Sequence, residues 1–249
     1  MLRSVLLLII LFILLLNTHG PSTAVPFSGP IASSISISNH SNQVSNVTLD
    51  QSNGIFYNYE PYVTLTGSNY IDIPSVSELM LTKFTIAMWF RTTMDVPYKS
   101  EAFILNKGGI GSDSMGANLN YGIWMTGSET IAAGFEDSSG ALYRVQTTNA
   151  PASYVLYEWH YAMTTYDGSM LVLYIDGVPV ANKFLSDAQP DNLSKQPLRI
   201  GANSLILNGF FIGDVDEIRI WNRGLSNSEA SSAYRGQFNR TGEVMHLGF

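Results

Sequence analysis

The chain contains no cysteine, which excludes thiolate nucleophiles, zinc–thiolate centres and disulfide staples together; stability has to come from a packed core or a bound hard cation. It is also poor in charge: 13% of residues are charged, and 13 Lys and Arg stand against 20 Asp and Glu, for a formal net charge of −7. Such a chain repels phosphate backbones, so nucleic acid is not an expected partner. Several catalytic signatures are missing as well. There is no Gly-x-Ser-x-Gly elbow, no His-Glu-x-x-His helix and no complete phosphate-cradling glycine motif, since "GGIGSDSMG" (108–116) has glycines that suit a strand connection without any phosphate. What is present, 249 residues of which 45% are hydrophobic, suffices for one substantial core and hence one domain.

The apolar residues are unevenly spread. Arg3 precedes the unbroken run "VLLLIILFILLL" (Val5 to Leu16), and small residues follow in "GPSTAV"; this is the pattern of a secretory leader. The run is 12 residues long, short of the roughly 20 that a membrane-spanning helix needs. Cleavage after Ala24 removes residues 1–24 with one arginine and no acid, leaving an exported, extracellular protein of net charge −8. Residues 25–58 read as a Ser/Asn-rich stalk, within which "ISISN" (35–39) can pair as an edge strand, and the globular domain runs over 59–249. The sequons at Asn39, Asn46, Asn192 and Asn239 are compatible with glycosylation of an exported chain.

Within the domain the hydrophobic period is two, and short apolar runs are broken by Gly, Asp and Asn. In "WHYAMTTYDGSMLVLYIDGVPVA" (159–181), Asp167-Gly168 and Asp176-Gly177 each separate β-rich runs, which predicts a three-strand meander. Leu171, Leu173 and Ile175 point one way and Val172 and Tyr174 the other, so both faces of this sheet are covered. Further strands are predicted at 70–74, 84–93, 103–109, 121–126, 130–137, 141–147, 197–203 and 243–249, enough for two packed antiparallel sheets. The one helix begins at Ser226, with a Ser226/Glu229 capping box, Leu225 in the staple position and Gly236 as terminator.

The succession "NYIDIP", "FTIAMWFRTT", "ILNKGG", "WHYAMTTYDGSMLVLYIDGVPVA", "PLRIGA", "GDVDEIRIWNRGLSNSEASSAY" and "TGEVMHLGF" resembles the laminin-G-like, concanavalin A-like jelly-roll domains, over about residues 60–249. The resemblance implies an all-β, two-sheet antiparallel jelly-roll sandwich with one short C-terminal helix, a glycan or glycoprotein as partner, and a structural calcium ion near the sheet ends. The same superfamily includes true glycanases, whose retaining glucanases carry Glu-x-Asp-x-(x)-Glu on one strand. In "GDVDEIRIW" (213–221) no second glutamate follows Asp214, Asp216 and Glu217 at that spacing, so the pair of acids that retention requires is lacking. A non-catalytic recognition module is therefore expected, with an adhesive protein-binding module and a divergent glycoside hydrolase as the alternatives.

On simple alternation Asp216, Ile218 and Ile220 share the inward face of that strand, and Glu217, Arg219 and Trp221 the other. A carboxylate at Asp216 then needs a calcium ion or a set of hydrogen-bond donors, and both remain open. Glu217 and Arg219 read as a surface ion pair. His40, His160 and His246 have no ligand spacing and read as structural or solvated; Trp89, Trp159 and Trp221 read as packing residues. The candidate ligand-binding residues are Asp113, Asn118, Asn120 and Tyr121 in the loop "GSDSMGANLNYG" (111–122), with Trp124 as an aromatic platform; an ordinary hairpin loop is the alternative.

Overall fold

The structure, a computed structural model, describes residues 36–39 (backbone only), 62–94, 100–110, 116–127, 130–148 and 156–249. The expected leader, and the stalk apart from 36–39, lie outside these residues. In chain order the strands are β1 (Ser36–Asn39), β2 (Val63–Thr66), β3 (Asn69–Ile73), β4 (Phe84–Thr92), β5 (Glu101–Lys107), β6 (Tyr121–Thr126), β7 (Thr130–Glu136), β8 (Leu142–Gln146), β9 (His160–Tyr166), β10 (Met170–Ile175), β11 (Val178–Phe184), β12 (Leu198–Ile200), β13 (Ile212–Trp221) and β14 (Glu243–Leu247), with helix α1 (Asn227–Tyr234) between the last two. One sheet has the order β1-β3-β12-β5-β6-β7-β8, and the other β11-β10-β9-β4-β13-β14, with β2 pairing to β13. The segment read as a possible edge strand pairs antiparallel to β3. No helix among the described residues is long and apolar enough to cross a membrane.

Alternation explains the layering. In β10, Leu171, Leu173 and Ile175 enter the core between the sheets with Ile86, Met88, Ile123, Phe135 and Ile220, each such side chain contributing about 1.5–3 kcal/mol on full burial. Tyr174 points outward and joins a second cluster with Trp89, Tyr161 and Trp221. That outer face is covered by Leu225 and by Ala230 and Ala233 of α1, whose small side chains let the helix lie close to the sheet. The helix starts as the sequence predicts: Ser226 Oγ accepts from Glu229 N, and Ser226 N donates to Glu229 Oε2 at 2.9 Å. It ends where Gly236, at φ +75°, takes the left-handed conformation. In the β10–β11 hairpin, Asp176 and Gly177 have φ of 52° and 77°, the two positive values that a tight hairpin turn demands.

Candidate functional site

The residues expected to form a ligand rim fall elsewhere. Asp113 lies outside the described residues. Asn118, Asn120, Tyr121 and Trp124 are all fully buried, and the reason is hydrogen bonding inward. Asn120 clamps Leu81, accepting from its N–H at 3.0 Å and donating to its carbonyl at 2.8 Å. The Tyr121 hydroxyl donates to Leu79 O at 3.1 Å, and burial pushes its pKa far up. Asn118 Nδ2 donates to Asp137 O and Asp191 Oδ2, each at 3.0 Å. Trp124 stacks on Phe103, with ring centroids 6.1 Å apart. Three of these side chains tie loops to the sandwich and the fourth fills a layer beneath its surface; none is a rim.

A cleft does open, on the outer face of the first sheet, beside Phe103. The outward row Phe103–Trp124–Ala132–Gln146 crosses β5, β6, β7 and β8. Next to it, Thr126 and Thr130 share a hydroxyl hydrogen bond at 2.6 Å, and Gln146 Nε2 donates to Thr130 Oγ1 at 2.8 Å. The loop from Gly201 to Phe211 arches over Phe103, held by Phe103 N to Gly209 O at 2.9 Å. Gly209, at φ +57°, has to be glycine, because a Cβ there would lie 2.8 Å from the Phe103 ring. Between loop and sheet lies a space of about 590 Å³ whose lining includes Glu101, Thr126, Arg144, Gln146, Asn203 and Asn208. Among the described residues no ion pair joins Glu101 to Arg144. Burial pushes the Glu101 carboxyl up, against the opposing pull of the Arg144 charge and of the Trp124 indole N–H. That indole N–H is itself buried and lies beside the carboxylate without a hydrogen bond of ordinary geometry.

The acids of β13 are all engaged in the second sheet. Asp214 accepts from Thr64 Oγ1 at 2.8 Å and pairs with Arg91 at 2.7 Å. Arg91 in turn lies over the rings of Tyr62 and Trp159, at 5.1 and 5.0 Å. The expectation for Asp216 needs correcting. Asp216 opposes Trp89 and Arg219 opposes Ala87, so the register slips between them, and Glu217 sits at φ +49°. This is a β-bulge. Val215, Ile218 and Ile220 therefore enter the core, while Asp216 shares the outer face with Trp89, and its Oδ1 accepts from Phe249 N at 3.1 Å. Among the described residues no three of His, Asp and Glu come together as metal ligands.

Glu217 and Arg219 were expected at the surface, yet their side chains are only 6% and 2% exposed. Arg219 bridges Glu217 at 2.8 Å and Glu243 at 2.6 Å, with the Phe238 ring against its guanidinium at 3.8 Å. His246, fully buried, meets Glu217 through Nε2 at 3.0 Å. The contacts to His246 and Arg219 hold the Glu217 carboxyl below its ordinary pKa although burial acts the other way. His160 pairs with Asp176 at 2.8 Å. This network holds β13, β14 and the segment after α1 together and lies under them, away from the cleft.

Two seven-stranded antiparallel sheets, one with its outer face sealed by a helix and the other open at a polar cleft, define a jelly-roll sandwich of the lectin and glucanase kind. A laminin-G-like family model of the concanavalin A-like lectin/glucanases superfamily matches residues 65–231, and the chain belongs to that superfamily. No curated protein matches it. Solved structures similar to it include the binding domain of botulinum neurotoxin serotype G, with a TM-score of 0.54 and 17% identity over 71% of this chain and 42% of that one. The binding domain of botulinum neurotoxin DC, in complex with SialylT, gives 0.58 and 11% over 82% and 46%. The binding domain of serotype D gives 0.54 and 14% over 82% and 47%. At these identities the likeness is one of fold, and the chain spans less than half the length of these structures.

Proposed function

We propose that the chain is an exported, non-catalytic module that binds glycan in the cleft between the first sheet and the Gly201–Phe211 loop. The observation that carries this reading is the lining: planar amides of Gln146, Asn203 and Asn208, hydroxyls of Ser100 and Thr126, and a single carboxylate, Glu101. Planar amides and carboxylates are the groups that grip sugar hydroxyls, and Ile110 and Ile206 at the same cleft offer apolar surface to a ring face. Glycoside hydrolysis uses two carboxyl groups, about 5 Å apart for retention and about 6.5–9.5 Å for inversion; among the described residues lining the cleft Glu101 has no such partner. The expected leader supports export.

A glycan array probed with residues 25–249 tests the proposal. Binding to at least one glycan class, competed by the free sugar and lost when Asn208→Trp fills the cleft, is the expected result, with no release of reducing ends. Absence of binding to every glycan, or binding untouched by Asn208→Trp, would overturn it. A second reading, docking of another protein, is favoured by edge strand β11, where Val178, Val180 and Phe184 are exposed at 58%, 40% and 67%.

A further inference from the structure

We propose that the cleft selects neutral sugars, holding a pair of adjacent hydroxyls between Glu101 and Arg144, and that it rejects sugars carrying a carboxylate or sulfate. This rests on the glycan-binding reading above and goes further by naming the ligand's charge class.

Glu101 and Arg144 are the charged residues in the described lining of the cleft, one of each sign. The Arg144 charge is felt at the Glu101 carboxyl, yet the two form no ion pair. A half-buried carboxylate with no ion-pair partner is costly, and a donor brought by a ligand relieves the cost. The guanidinium has the opposite need: it has donors only and seeks an acceptor. A sugar hydroxyl is donor and acceptor at once, so adjacent hydroxyls satisfy both side chains without adding charge.

Charged sugars satisfy one side chain at the expense of the other. An acidic sugar would serve Arg144 but bring a second anion beside Glu101 in partly desolvated surroundings, where like charges repel more than in water. An amino sugar would serve Glu101 and face the guanidinium. The formal charge of −7 opposes polyanions at long range as well.

A second, independent observation concerns Trp124. Its indole N–H is fully buried and unpartnered, and it lies next to the Glu101 carboxylate. This buried donor offsets part of the burial cost of the carboxylate, while Glu101 itself lines the cleft, where a ligand's hydroxyls can reach it.

The experiment compares neutral oligosaccharides with their sialylated, uronic acid, sulfated and amino counterparts on the same backbones, by array and then by titration calorimetry. The wild type should bind the neutral member about tenfold or more tightly than the acidic one, a difference of about 1.4 kcal/mol. Glu101→Gln should weaken neutral binding and narrow the gap to the acidic ligand. Arg144→Gln alters an exposed side chain with no partner to lose in the fold, and should weaken neutral binding without improving acidic binding. A preference for acidic or amino sugars, or unchanged neutral binding in both variants, would overturn this inference while leaving the glycan-binding reading intact; binding to no glycan at all would overturn both.

Discussion

Lys107 is fully buried and donates to Ser75 Oγ at 2.7 Å, Ser194 O at 3.1 Å and Gln196 O at 2.7 Å; among the described residues it meets no carboxylate. Burial lowers its pKa from 10.5 to about 8. Below pH 8 the lysine is charged in both states and its burial cost is constant. Between about 8 and 10.5 the unfolded chain keeps a proton that the native chain has released, so native stability rises with pH, by about 3 kcal/mol at full effect. Above pH 10 Tyr121 and Tyr161, whose hydroxyls burial pushes up, act in the opposite sense. Urea melts of wild type and Lys107→Met at pH 7, 8, 9 and 10 should show the wild type gaining on the variant between pH 8 and 10; a constant gap would contradict the assignment. Asp216 makes a second test. Asp216→Ala should lose roughly 1–3 kcal/mol by stranding Phe249 N–H, and neither protein should melt differently in calcium and in chelator. A calcium-dependent rise in the wild-type Tm would restore the ion to the fold.

At the scale of the element, what was legible depended on whether local alternation was enough. β4, β6, β7 and β10 follow the predicted runs almost to the residue, because a strand covered on both faces displays its apolar residues openly. β2, "VTLT" at Val63–Thr66, was not predicted, as two apolar residues in four give too little pattern. The bulge at Glu217 was unreadable for a different reason: an alternation argument assumes an unbroken ladder, and a glutamate at positive φ announces nothing. That residue moves Asp216 to the outer face while Ile218 and Ile220 keep their inward places, and the packing of Glu243, His246 and Phe238 buries Glu217 and Arg219. Glu217→Ala should therefore cost about 3–5 kcal/mol, since it leaves a buried guanidinium short of a partner, where an exposed pair would have cost about 0–1 kcal/mol; chemical denaturation decides between the two. Helix α1 offers the legible counterpart. Glu229 serves Ser226 N and Arg223 together, and the Arg223 hydrogen bond leads in holding its carboxyl at about 2. Its stabilising share is present above the unfolded value of 4.5 and is lost as pH falls toward 2. The stability gap between wild type and Glu229→Ala, about 1 kcal/mol at neutral pH, should close over that window.

At the scale of the molecule, the two outer faces have different work. The second sheet buries Trp89, Tyr161, Tyr174 and Trp221 beneath α1 and the residues around it, so its outer face is part of the core. Among the described residues the first sheet has Phe103, Leu119, Trp124 and Ala132 as its buried outer cluster, and beside them the cleft lining is largely polar. No single stretch of sequence could show that cleft, because Glu101 opens β5, Arg144 and Gln146 belong to β8, and Asn203 and Asn208 come from the arching loop; only the closing of the sheet brings them together. Asn118, Asn120 and Tyr121 look like a rim in sequence because they are polar and adjacent to glycine, but in three dimensions their hydrogen bonds point inward. The division of labour between the faces predicts where a ligand will be felt. In native-state hydrogen exchange with a bound neutral oligosaccharide, amides of the Gly201–Phe211 loop, of β5 at Glu101 to Phe103 and of β8 should slow, because ligand stabilises only the states that keep the loop against the sheet. Amides of β14 and α1 should slow only through global stabilisation, equally for all their slowest sites. Protection centred on β13, β14 and α1 would place the ligand on the sealed side and contradict the assignment of the cleft.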